Sequence, residues 1–260
     1  MKKYVIYLML SLCLTASQFL SAKVSSEEAS QLGESLTPMG AEMSGNAEGT
    51  IPAWNGGITK PTLDYKKGDH HPDPFGTDKV LFKIQKSNIN EFSDKISDGQ
   101  KALLEANPDH YFNVYPTHRS TAYPQKVYDA VLQNATTATL DDNGNGVSNS
   151  HIAIPFPIPN NGKEVIWNHR LRWRGVFLHT DFVSMAVYNK DKSVLNKTSI
   201  EVAFPYYYKN RGNEVANHKL QYFLAIDNYP PNQAGSSLLV YEGINAKRTP
   251  RQAWAYSPGV

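Results

Sequence analysis

The sequence predicts an α+β fold, with helices first and an antiparallel meander second, so that helices pack onto one face of a sheet. Two observations carry this. Five stretches read as successive strands: Arg174–Tyr188, Val194–Tyr208, His218–Asn228, Ser236–Ile244 and Gln252–Ser257. Within them apolar residues recur with period two. Ile200, Val202, Phe204, Tyr206 and Tyr208 oppose Ser199, Glu201, Ala203 and Pro205, while Leu220, Tyr222, Leu224 and Ile226 oppose Lys219, Gln221 and Asp227. Such alternation marks a sheet with one greasy and one wet face. The greasy face requires a cover of helices, a second sheet or a ligand.

The elements preceding the meander follow from start and stop signals. Lys2 and Lys3, the apolar run Tyr4–Leu14 and the small-residue ending Leu20-Ser21-Ala22 describe a secretory signal peptide over residues 1–22. The run is too short for a membrane span. A helix is expected from Ser26 to Leu36, capped by the serines before Glu27 and Glu28. Met39–Pro74 holds six glycines and four prolines, so residues 23–75 read as a loop-rich N-terminal segment in which Ile51 and Trp54 dock. Residues 76–260 read as a helical region followed by the meander. Ser97-Asp98-Gly99-Gln100 has capping-box spacing and opens a helix through Ala106, stopped by Pro108. Pro124–Asn134 starts with proline and carries Val127, Ala130 and Val131 on one side. Lys163–Leu171 is a further helix.

Composition bounds the function. The chain's one cysteine, Cys13, lies in the leader, so no disulfide is expected despite an oxidising destination. In Leu10-Ser11-Leu12-Cys13 the bulky Leu12 stands where a lipidated leader carries a small residue, which argues against Cys13 as an acylation site. Removing Lys2 and Lys3 from 26 basic residues leaves 24 against 24 acidic ones, a neutral mature chain with no call for nucleic acid. The expected location is a periplasm.

Several clusters invite chemistry. Asp69-His70-His71-Pro72-Asp73-Pro74 offers imidazole and carboxylate for a divalent metal, but adjacent histidines diverge, and a proline-clamped turn is the better reading. Asp141-Asp142-Asn143-Gly144-Asn145-Gly146 opens like a calcium loop, yet position twelve is Ile152 where Glu is needed. A glycine-rich turn is preferred. In Trp167–Gly175, Arg170, Arg172 and Arg174 share one face of an extended segment and suit phosphate or carboxylate head groups. There is no reactive thiol in the mature chain, no Gly-x-Ser-x-Gly elbow and no zinc-protease motif, so no catalytic residue, cofactor or metal ligand is assigned.

Five strings carry a resemblance: Leu36-Thr-Pro-Met-Gly-Ala-Glu, Asn46-Ala-Glu-Gly-Thr-Ile-Pro-Ala-Trp54, Gly68-Asp-His-His-Pro-Asp-Pro-Phe75, Pro155-Phe-Pro-Ile-Pro159 and Trp167–Gly175. Together they resemble an uncharacterised Gram-negative family whose members carry a domain of unknown function and are often labelled outer-membrane lipoprotein-sorting proteins. The resemblance spans essentially the whole mature chain. It implies a fold similar to the lipoprotein carriers LolA and LolB: a curved, incompletely closed antiparallel sheet, or half-barrel, with helices on its concave side holding a hydrophobic guest. It also implies further strands beyond Gly259, so that a chain stopping at Val260 reads as C-terminally truncated.

The expected function is a periplasmic, non-catalytic binding or carrier protein for a lipid-like ligand, associated with the outer membrane or with lipoprotein trafficking. Val202, Phe204, Tyr206, Tyr222, Leu224 and Ile226 are expected to line the ligand, with Arg172 or Arg174 at its head group. The alternative is an envelope or transporter interaction module whose core is closed. An enzyme using His70, His71 and Asp73 ranks third.

Overall fold

A computed structural model describes residues 24–62, 64–66, 68–189, 192–207 and 219–259. The leader, Cys13, Tyr208 and His218 lie outside them. The architecture is α+β, organised around a five-stranded antiparallel sheet whose strands neighbour one another in chain order, a simple meander. The chain divides into two units, residues 42–123 and residues 1–41 with 124–260.

In the first of these units, β1 (Phe82–Gln85) pairs with β2 (Tyr111–Val114), Ile84 opposite Phe112. Ile84, Ile89 and Leu104 form its buried core, with Phe92, Ile96, Phe112 and Val114 against them. The capping box starts α2 (Asp98–Ala106) as the sequence predicts: Ser97 Oγ accepts from the Gln100 amide at 3.3 Å, and Gln100 Oε1 accepts from the Ser97 amide at 2.9 Å. The glycine-rich segment is held largely by side-chain-to-backbone bonds. Arg119 donates to the carbonyls of Glu42 (2.6 Å), Met43 (3.1 Å), Ser44 (3.2 Å) and Pro52 (3.5 Å). Trp54 docks, its indole N–H donating to Thr121 O at 3.0 Å. Ile51 does not; it stays 46% exposed because only its backbone is engaged, its amide donating to Asn46 Oδ1 at 2.7 Å.

In the larger unit, α1 is a single turn, Ser26–Ala29, much shorter than the helix expected through Leu36. The Ser25/Glu28 capping box starts it, and the hydrogen bonds to Ser25 hold the Glu28 carboxyl below its ordinary pKa. Gly33 ends the helical path, adopting the left-handed φ of 91°. Next comes α3 (Gln125–Thr137), which buries Val127, Ala130 and Val131 as expected together with Asn134, and runs three residues beyond the expected end, burying Ala135. Asn134 is fully enclosed: Nδ2 donates to the carbonyls of His151 (3.0 Å) and Ile154 (3.1 Å), and Oδ1 accepts from the His151 amide (3.1 Å). A short pair, β3 (Thr139–Asp141) with β4 (Gly146–Ser148), leads to α4 (Gly162–Leu171), whose N-cap Asn161 accepts from the Lys163 and Glu164 amides.

The meander itself comprises β5 (Phe177–Asn189), β6 (Lys192–Ala203), β7 (Lys219–Tyr229), β8 (Ser237–Gly243) and β9 (Gln252–Tyr256). All five predicted strands form. The sheet is not closed: β5 and β9 are its outer strands. Two local breaks change which residues share a face. After Ala203 the alternation stops, because Phe204 donates the last ladder bond, to Val176 O at 2.9 Å, and Pro205–Tyr207 turn into a 3₁₀ segment. Proline lacks the N–H that a continued ladder needs. In addition, the register of β7 against β8 shifts between Lys219 and Gln221. Such a bulge exchanges the two faces for every residue beyond it.

The main core gathers Trp167 and Leu171 of α4, Val147, Phe156, Val202, Phe204, Tyr206, Tyr207, Leu220 and Ile244. Tyr206 is sealed within it, donating to Ala153 O at 2.8 Å with Ser150 Oγ at 3.3 Å. Burial pushes its phenol pKa well above the ordinary value.

Candidate functional site

Six residues were expected to line one bowl, and the register separates them. Val202 stands opposite Phe223, whereas Leu224 stands opposite Glu201 and Tyr222 opposite Ala203. Directly opposed residues point to the same side. Val202, Phe204 and Tyr206 therefore belong to the main core, while Tyr222, Leu224 and Ile226 lie on the other face of the sheet. The first three are sealed, at 7%, 0% and 5% exposure. The second group is only partly covered: Tyr222 meets Tyr241 edge-on, Tyr241 meets Trp254, and Ile226 remains 37% exposed. Both faces of the sheet are apolar in part. The expectation of one greasy and one wet face is corrected accordingly.

The arginines do converge, by a route other than the extended segment expected. Arg170 lies within α4, Arg172 is its C-cap residue, and Arg174 follows in the loop before β5. Their side chains nevertheless line one small concavity of about 170 Å³ with His169, Leu220, Gln221 and Glu242. Arg174 packs its guanidinium over the Phe204 ring, 4.4 Å from the centroid, and donates to Gln221 Oε1 at 3.0 Å. Its partial burial, the largest cause, pushes its pKa below the ordinary arginine value. Arg172 donates to His169 O, and Tyr207 donates to Arg172 O. Arg170 pairs with Glu242 at 2.8 Å, and Glu242 also accepts from Gln221 Nε2 at 2.8 Å. One carboxylate thus stands among three guanidinium groups, leaving a local positive excess suited to an anion.

Arg170 also faces a second, larger space. A cleft of about 990 Å³ is lined by Leu140, Asn143, Lys163, Ile166, Trp167 and Arg170, among others. That is the upper end of the range for small-molecule sites, roughly 300–1,000 Å³. Trp167 forms its floor, the ring buried, Nε1 donating to Gly144 O at 3.0 Å and the Arg170 guanidinium stacked 4.2 Å from its centroid. Ile166 is 59% exposed. Lys163 reaches across to donate to Asn143 O at 2.7 Å. Neither this cleft nor the arginine concavity is lined by Val202, Phe204, Tyr206, Tyr222, Leu224 or Ile226.

The remaining candidates are engaged in structure. Asp142 Oδ2 accepts from Asn245 Nδ2 (2.8 Å) and pairs with Arg248 (3.2 Å), and these partners hold its carboxyl below the ordinary range. Asp141 accepts from Ser148. The oxygens a calcium ion would need are thus turned to protein partners. Asp73 Oδ1 accepts from the Phe75 amide at 2.8 Å, and His71 stacks on Tyr65 at 4.4 Å. Among the described residues no three His, Cys, Asp or Glu side chains gather as a metal would require. Glu242, Gln221 and Trp167 complete the site and were not assigned from the sequence. Glu242 lies 72 positions from Arg170, and no local pattern announces a pair at that separation.

Residues 83–260 match the family model described as "Protein of unknown function (DUF1329)". The chain belongs to this family. An uncharacterised protein of Pseudomonas aeruginosa is 39% identical over 251 residues, covering 96% of this chain and 55% of the relative. The chain therefore spans about half the length of the curated relative it matches. No solved structure matches it significantly. Among the described residues, no helix is long and apolar enough to cross a membrane.

Proposed function

We propose that the larger unit of this DUF1329 member binds an anionic amphiphile, as a non-catalytic carrier working in the periplasm or at the outer membrane. One observation carries the reading: Arg170 lines both the arginine concavity and the apolar cleft. An acidic head group held at Arg172 and Arg174 would leave its hydrocarbon beside Trp167, Ile166 and Leu140. Burial contributes about 0.8 kcal/mol per methylene, so a chain of about ten carbons suffices for measurable affinity. The half-barrel resembling LolA and LolB, continued by strands beyond this chain, is part of the same proposal, as is a role in lipoprotein or lipid trafficking.

The test compares two fluorescent probes on delipidated protein: cis-parinaric acid and its neutral methyl ester. The acid is expected to bind saturably and the ester at least tenfold more weakly. Equal binding, or none by either probe, refutes the proposal.

A second reading is supported by the sealing of Val202, Phe204 and Tyr206. It holds that the core is closed and the unit serves as an envelope interaction module. Organic extraction of freshly purified protein separates the two, since co-purifying acidic lipid is expected from a carrier alone.

A further inference from the structure

The strands β5 and β6 continue past the rest of the sheet. β7 pairs with β6 only between Lys197 and Ala203, whereas the β5–β6 pairing runs on through Ser184–Asn196, Met185–Leu195, Ala186–Val194 and Val187–Ser193 to Asn189–Lys192. At about 3.3 Å per residue, the six residues after Val183, Ser184 to Asn189, carry this two-stranded ribbon about 20 Å beyond β7. Most of its apolar side chains are exposed, Leu195 being half-buried. Val183 is 58% exposed, Met185 56%, Val187 70%, Tyr188 67% and Val194 44%.

These residues do not lie on one side. Val183, Met185 and Val187 alternate with Ala186, whose cross-strand partner is Val194, so both faces of the ribbon present hydrocarbon. A folded partner seated against one face would leave the other wet. The charge is predominantly of one sign. Between Val183 and Lys197 the sequence holds Lys190, Lys192 and Lys197 against Asp191 alone, a surplus of two positive charges in an otherwise balanced chain. Lys192 Nζ lies 5.5 Å over the Tyr188 ring. Hydrocarbon on both faces, an aromatic near the tip and flanking lysines are what the head-group zone of an anionic bilayer accommodates. There apolar groups enter the acyl boundary while ammonium groups remain among the phosphates.

We infer that the distal β5–β6 ribbon docks this protein onto an anionic lipid surface, entering the interface by its tip without spanning it. This stands apart from the arginine concavity and needs no bound ligand there.

The experiment is flotation of the purified full chain with vesicles of phosphatidylglycerol and phosphatidylethanolamine, against vesicles of phosphatidylcholine alone. Binding to the anionic vesicles at low salt is expected, at least tenfold above that to phosphatidylcholine. The double variant Met185→Asp/Val187→Asp should lose at least tenfold, and Lys192→Glu/Lys197→Glu severalfold, with unchanged melting temperatures because all four sites are exposed. A tryptophan placed by Val187→Trp should shift its emission to the blue on anionic vesicles only. Failure of the wild type to float, or equal flotation of wild type and Asp double variant, overturns the inference. So does loss of flotation in Arg172→Met/Arg174→Met with the ribbon intact. A concentration-dependent dimer that Val187→Asp dissolves, with no flotation, assigns the ribbon to a second copy of the chain and likewise overturns it.

Discussion

Replacing Glu242 by glutamine should destabilise the protein and at the same time tighten its hold on an anion. Glu242 is the carboxylate in the arginine concavity, receiving Arg170 and Gln221 at 2.8 Å each. Both members of the ion pair are about a quarter exposed, at 28% and 22%, so its loss is discounted for solvent and costs about 0.5–1 kcal/mol. Glutamine keeps the shape and one acceptor, which holds the loss to that scale. For an anion bound among the arginines, the same change removes a like charge at a separation of about 6 Å. With an effective dielectric constant of about 40 the repulsion is about 1.4 kcal/mol, or roughly tenfold in affinity. Chemical denaturation reads the first effect and titration with cis-parinaric acid the second. The affinity gain should shrink in 0.5 M salt, where the Debye length falls to about 4–5 Å. Unchanged or weakened binding of the acid by Glu242→Gln would mean that no anion sits among these guanidinium groups.

Other consequences are as readily measured. Tyr206→Phe removes a buried hydroxyl that serves both Ala153 O and Ser150, and should cost about 1–3 kcal/mol in urea denaturation without altering probe affinity. Asn134→Ala leaves the Ile154 carbonyl and the His151 amide without their partner in a fully enclosed site, while the His151 carbonyl keeps the Ala153 amide at 2.7 Å, and should cost about 2–3 kcal/mol by the same measurement. Gly40→Ala would place a Cβ 1.8 Å from Pro157 O at a φ of 87°, so loss of more than about 2 kcal/mol is expected in thermal melts. Asp142 has a folded pKa below its unfolded value of about 3.9, so its contribution is present above that value and is lost as pH falls through the folded pKa. The protection of the amides at residues 142–145, taken relative to their intrinsic exchange at each pH, should therefore fall as the pH drops below about 4, and Asp142→Asn should abolish that dependence.

Much of the architecture was legible because its signals are local. Strand limits follow from alternation between turn residues, and the five strands of the meander begin and end within about three residues of the reading, except that the second stops at Ala203 and not at Tyr208. The capping boxes at Ser25 and Ser97 act over three residues, and both formed. Register is not local. The alternation in Leu220–Ile226 is genuine, but the shift beside Leu220 decides which face it serves, and that depends on how β8 pairs. Pro205 was counted as the wet side of a strand, although its missing N–H makes it a stop. The arginine cluster was legible as composition and not as geometry. The helix expected through Leu171 formed, so Arg170 lies within it and not on an extended run with Arg172 and Arg174, and the three groups meet because the chain turns at Arg172. Gly40 shows a motif residue whose reason became visible only in three dimensions, where the carbonyl of Pro157 occupies the space a side chain would need.

The grip of Arg119 on residues 42–52 has a consequence for variation. All four acceptors it holds are main-chain carbonyls, which every amino acid supplies. The side chains at Glu42, Met43 and Ser44 can therefore change freely as far as this tether is concerned, whereas position 119 cannot. Lysine would bring a compact ammonium with three donors in place of a planar fork with five. Four main-chain positions between residues 42 and 52 are in this way gathered by one residue outside them, some seventy positions downstream.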